Sequence, residues 1–186
     1  MRKAVVFAVL ILLLVTGGIS RVGAGARGAQ FMASCSGAEE VPARQTEATC
    51  QAVFRLSEDQ STLSYKLIVD NIENVIASHI HVAVFGVNGP VVAFLAGPFD
   101  PGGGPVEGIL AQGTITSANL VGPLAGMSLS VLVAAMRDGG TYVNVHTNDG
   151  IDPQNTGAGD FPGGETRGQI RPLRGPNGTI PVEPTP

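Results

Sequence analysis

"TCQAVFRLSEDQSTLSYKLIVDNI" (residues 49–72) alternates with a period of two on both sides of a polar break. Cys50, Ala52 and Phe54 share one face of the first half, and Gln51, Val53 and Arg55 share the other. In the second half Leu63, Tyr65, Leu67 and Val69 lie together, opposite Ser64, Lys66 and Ile68. Neighbouring side chains on a strand point to opposite faces, so the pattern predicts two strands, each with one buried face. "EDQS" (58–61) has the polarity of a turn, and the pair reads as a β-hairpin.

The same reading extends outward. "ASHIHVAVF" (77–85) and "GPVVAFL" (89–95) are predicted strands, joined through "GVNG". Asn88-Gly89 is a favoured turn dipeptide there, with Pro90 closing the turn. "GPFDPGGGPVEG" (97–108) is a loop by composition, and "ILAQGTITSANL" (109–120), "TYVNVHT" (141–147) and "ETRGQIRP" (165–172) supply further strands. "FPGGE" (161–165) predicts a tight turn, with Gly163 and Gly164 in backbone angles that other residues avoid. "MSLSVLVAAMRDGG" (127–140) is the one helical segment, started by Ser128 or Ser130 and ended by Gly139 or Gly140. It is apolar nearly all round from Leu129 to Met136, which predicts deep packing against the sheet. Short strands, glycine-rich turns and one short helix together predict an all-β, mostly antiparallel sandwich or barrel.

The ends of the chain read differently. Arg2 and Lys3 precede an apolar run from Ala4 to Val15, and small residues at Ala24-Gly25-Ala26 offer a cleavage site after Ala24 or Ala26. This is the pattern of an export signal over residues 1–26, since the apolar run is too short for an easy membrane span. Residues 27–172 form the expected domain, and 173–186, rich in proline and glycine, the expected disordered tail. The expected location is therefore secreted, extracellular or periplasmic, with no membrane span after cleavage. The formal net charge is −4, and losing Arg2, Lys3 and Arg21 makes the domain more acidic still. A chain left with Lys66 as its single lysine has no basic stripe to replace phosphate counterions, which excludes a nucleic-acid partner.

There are two cysteines, Cys35 and Cys50. An even count in an exported chain favours a disulfide, worth roughly 3 kcal/mol for so short a loop. Metal ligation by the two thiols is the weaker alternative.

All three histidines fall on predicted strands. His79 and His81 project together from an extended segment, with Cα atoms roughly 6.6 Å apart, while Ile80 faces the other way. Imidazoles at that spacing can tilt onto one ion about 2 Å from each nitrogen. Tyr142, Asn144 and His146 share a face of another strand, and adjacency of the two strands would complete a three-histidine site for copper or zinc. Around it Glu165 is expected to orient an imidazole N–H, Arg167 to bind an anion at an open coordination position, and Asn144 to hold a ring or a bound water. The plainer alternative is a buried polar network in which His79, His81, Asn144 and Thr147 satisfy one another. On the plain reading of their segments Arg167 and Arg171 are solvated and Glu39-Glu40 is an exposed corner, with a carboxylate near the site as the alternative for that pair.

"SGAEEVP" (36–42), "SHIHVAVFGVNGPVV" (78–92), "YVNVHT" (142–147) and "FPGGETRGQI" (161–170) occur in the order of the motifs of the CHRD (chordin-type) domain, and the chain resembles that family over roughly residues 30 to 171. The resemblance implies an immunoglobulin-like extracellular domain, in single-domain exported form, with an extracellular protein or matrix component as the class of partner. It implies no defined activity. Cys35 stands where the family pattern has an apolar residue and Cys50 where it has "ATG", and both departures fall on adjacent predicted strands, which strengthens the disulfide. Three readings follow: a metal-binding module using His79, His81 and His146; an interaction or matrix domain with structural histidines; and a metalloenzyme using the open coordination position.

Overall fold

The computed structural model describes residues 28–173, so the expected signal segment and all but the first residue of the expected tail lie outside the described residues. The described chain folds into one nine-stranded, antiparallel sheet. Its strands are β1 (Gln30–Ser36), β2 (Thr49–Leu56), β3 (Leu63–Glu73), β4 (Val75–Val82), β5 (Val91–Ala96), β6 (Pro105–Ile115), β7 (Thr141–Thr147), β8 (Thr166–Gln169) and β9 (Arg171–Pro172). In space the order is β5-β4-β7-β8-β1-β2-β3-β6, with β9 pairing to β1. The two ends of this order approach each other, and the Tyr65 hydroxyl on β3 donates to the Leu95 carbonyl on β5 across the gap, at 2.7 Å. The expected antiparallel all-β fold is present, as a nearly closed barrel-like sheet with one α-helix.

The opening hairpin sets the pattern. Cys50 lies opposite Val69, Ala52 opposite Leu67, Phe54 opposite Tyr65 and Leu56 opposite Leu63, and all but the half-buried Tyr65 are buried. Cross-strand pairs of this kind hold register, because a slip of one residue would turn every one of them to solvent. The predicted turn is built on Asp59, whose carboxylate accepts from the Ser57 hydroxyl at 2.6 Å and from the Ser61 N–H at 3.1 Å. Those hydrogen bonds, that from Ser57 first, hold the Asp59 carboxyl below its ordinary value.

Phe31, Leu67, Ile80, Val143, Val145 and Ile170 fill the interior. Cys35 and Cys50 are direct register partners on β1 and β2, joined by a disulfide with their Cα atoms 4.6 Å apart.

Four local expectations are corrected. Strand β6 starts at Pro105, inside the segment read as loop. Its first residues pair with the end of β3 through register shifts that include Gly108, while Gly102, Gly103 and Gly104 stay in the connection before the strand. The α-helix α1 (Leu129–Arg137) is not buried all round: Leu129, Leu132, Val133 and Met136 pack inward, while Val131 stays 39% exposed. That is the ordinary one-sided stripe of a surface helix. The tight turn between β4 and β5 centres on Phe85-Gly86, where Val87 N–H donates to the Val84 carbonyl and Gly86 takes φ +76°. Asn88-Gly89 lies just beyond the turn and serves the site below. Of the two glycines in "FPGGE", Gly164 alone has positive φ, closing a turn in which its N–H donates to the Phe161 carbonyl.

Candidate metal centre

Strands β4 and β7 are neighbours in continuous register from Ala77 to Val82. Ile80 pairs with Val143 and both are fully buried in the interior. The intervening residues therefore share the opposite, outer face: His79 opposite Asn144, His81 opposite Tyr142, and His146 one diagonal step from His79. On the other flank, β5 pairs with β4 through register shifts between Ser78 and His79 and between Ile80 and His81. Such irregularities re-aim side chains, and these two fall beside the histidines.

The three imidazoles come together. Their candidate ligand nitrogens all lie within 4.8 Å of one another. His79 Nδ1 is 3.1 Å from His146 Nε2. Nitrogens on a tetrahedral ion at about 2.0–2.1 Å are separated by roughly 3.3 Å, so this pair is already spaced for one ion and the third ring needs only to tilt inward.

Two backbone carbonyls fix the ring tautomers. His81 Nδ1 is 2.8 Å from the Gly89 carbonyl, and His146 Nδ1 is 2.8 Å from the Pro162 carbonyl. A carbonyl oxygen only accepts, so both Nδ1 atoms carry the proton and both Nε2 atoms present lone pairs. His81 Nε2 is buried with no hydrogen-bond partner. Tyr142 stacks on His81 with ring centroids 4.7 Å apart, and Phe94 meets His79 edge-on at 4.8 Å. These contacts desolvate the cluster. Burial pushes the His79 imidazole down to about 4, with His146 and His81 adding to the shift. Burial likewise lowers His81 and His146, against the opposing hydrogen bonds to Gly89 and Pro162. Burial thus favours the neutral form of all three rings, the form that binds a metal.

The surrounding residues differ from expectation. Arg167, expected either in solvent or on an anion, is 1% exposed and holds the β4–β5 turn. Its amino groups donate to the Val87 carbonyl at 2.8 Å and to Asn88 Oδ1 at 3.1 Å, and its guanidinium lies 3.5 Å over the Tyr142 ring. Asn88 in turn donates to the Val41 carbonyl, tying the turn to the segment after β1. Glu165 does not orient an imidazole. It is fully buried and accepts from Thr46 and Thr147 hydroxyls at 2.5 and 2.6 Å and from Gly159 N–H. Thr147 alternates inward with Val143 and Val145, so Glu165 meets the interior face and not the His146 face. The Pro162 carbonyl makes the imidazole contact in its place. Arg171 is exposed, as expected.

Glu40, read as part of an exposed corner, is buried and accepts from Asn144 Nδ2 at 2.6 Å. Burial pushes its carboxyl up to about 7, against the pull of Arg167 and Arg44. Nothing periodic marked Glu40, because it leaves a short 3₁₀ turn (Gly37–Glu39) and meets a partner more than a hundred residues away.

The CHRD domain family profile matches residues 31–170, a span that contains strands β2 to β8, all but the first residue of β1, the disulfide and every residue of the cluster. The chain belongs to the CHRD domain family. Comparison with curated proteins finds no matching relative. This CHRD domain contains no helix, among the described residues, long and apolar enough to cross a membrane.

Proposed function

We propose that this CHRD domain is an exported binding module that holds one copper or zinc ion on His79, His81 and His146. The observation that carries the reading is the pair of tautomer-fixing carbonyls, which leave the buried His81 Nε2 lone pair without a partner beside the other two rings. A buried acceptor with no donor is unfavourable by about 1–3 kcal/mol, and a cation removes that cost. Three imidazoles suit copper and zinc better than calcium or magnesium, which take oxygen ligands. An oxidising, extracellular setting is supported by the family and by the Cys35–Cys50 disulfide, and an extracellular protein or matrix component is the class of partner that setting offers.

One observation favours a second reading, an interaction domain with structural histidines: His79 and His146 already bond to each other. Calorimetric titration of the chain, purified from metal-free medium, separates the two. One equivalent of Cu²⁺ or Zn²⁺ bound, and lost in His81→Ala, supports the ion. No binding by the unaltered chain leaves the second reading.

A further inference from the structure

Two acceptors on the outer face of β4 and β7 are buried and unpartnered: His81 Nε2 and Asn144 Oδ1. Asn144 is 3% exposed, so solvent does not satisfy its oxygen. Nδ2 donates to Glu40 Oε1 at 2.6 Å, and the ionised carboxylate, which only accepts, holds the amino end of the amide toward it. Gly164 makes room for that contact, since a Cβ at this position would sit 2.4 Å from Asn144 Nδ2 and 2.6 Å from Glu40 Oε1. The Glu40 contact lies on the β8 side of β7, next to Gly164. The two ends of an amide diverge, so the oxygen points away from Glu40, and on β4 the register partner of Asn144 is His79.

We infer that Asn144 Oδ1 is the fourth ligand of the ion, aimed by Glu40 through the gap at Gly164. This rests on the three-histidine reading above and gives the site its character. Three imidazoles and one amide oxygen close a four-coordinate shell, the arrangement of a site that retains an ion rather than one that exposes it to substrate. A hard oxygen among nitrogens selects the divalent ion, Zn²⁺ or Cu²⁺, over Cu⁺, which prefers thiolate and thioether donors. Glu40 acts as a positioning residue: it orients the amide and touches no metal.

The test uses Co²⁺ as a spectroscopic stand-in for zinc, with Zn²⁺ affinity measured by competition. Asn144→Ala is expected to bind Zn²⁺ at least about tenfold more weakly and to change the visible Co²⁺ spectrum. Asn144→Asp, which keeps an oxygen, is expected to retain tight binding and a four-coordinate spectrum, and it separates a lost ligand from a lost fold. Glu40→Leu, which leaves the amide unaimed, should fall between the alanine variant and the unaltered chain. An Asn144→Ala variant with unchanged affinity and spectrum overturns the inference while leaving the three-histidine site standing. An unaltered chain that binds no ion overturns both.

Discussion

His81 donates its Nδ1 proton to the carbonyl of Gly89, eight residues on, at 2.8 Å. That bond links the cluster to the turn clamped by Arg167, and it decides which nitrogen of His81 faces the other two rings. Changing Gly89 itself would disturb the backbone, because a Cβ there would meet the Val82 carbonyl at 2.0 Å. The informative changes are therefore at the rings. His79→Ala, His81→Ala and His146→Ala should each abolish stoichiometric Cu²⁺ and Zn²⁺ binding. The ion-free fold should survive each change, since the rings lie on the outer face. Calorimetry paired with thermal melts checks both outcomes.

Arg167 is expected to matter more for the turn than for any anion. Arg167→Met leaves the Val87 carbonyl and Asn88 Oδ1 without their donor and removes the contact with Tyr142. The expected loss is about 2–4 kcal/mol of stability, with faster amide exchange over residues 83–90. Arg167→Lys should not rescue it, because an ammonium cannot reproduce the planar fork.

Acid should destabilise the ion-free domain. The three imidazoles are held below 6.5 in the folded state, His79 at about 4, so between those values an unfolded chain takes up protons that the folded chain refuses. Stability present above pH 6.5 is lost as the pH falls toward 4. Glu40 works in the opposite sense: its folded carboxyl titrates near 7 and its unfolded one near 4.5, so falling pH over that window favours the folded state. Glu40→Gln should therefore be more stable than the unaltered chain at pH 8, by on the order of 1–3 kcal/mol, and should show a steeper acid limb below pH 7. Urea midpoints at pH 8 and pH 5 check the sign of each effect.

Most of the barrel was legible because its strands are one-sided. The alternation around Phe54 and Leu67 named the buried face, and the alternation around Ile80 placed His79 and His81 together on the other. The adjacency of β4 and β7, which brings in His146, is a matter of topology that no local pattern encodes. The partners of Glu40 and Glu165 were not legible for a related reason. Each is a loop carboxylate whose partner, Asn144 or Thr46, lies more than a hundred residues away, and neither burial nor hydrogen bonding over such a distance has a period. The start of β6 was hidden by glycine and proline, which mark loops and irregular strands alike.

The disulfide should support the fold without serving the site. Cys35 and Cys50 lie on β1 and β2, facing the core, with β8 between them and β7. Reduction, or the double change Cys35→Ala and Cys50→Ala, should lower stability by about 3 kcal/mol. Zn²⁺ affinity should be unchanged while the chain stays folded, as competition with a chromophoric chelator would show.

X-ray absorption at the metal edge, on the chain loaded with one equivalent of Zn²⁺ or Cu²⁺, tests the central claim most directly. Three imidazole nitrogens at about 2.0–2.1 Å are expected, and His81→Ala, which should not retain the ion, is expected to show no such shell. A shell with one imidazole or none, or a spectrum that His81→Ala leaves unchanged, would contradict it.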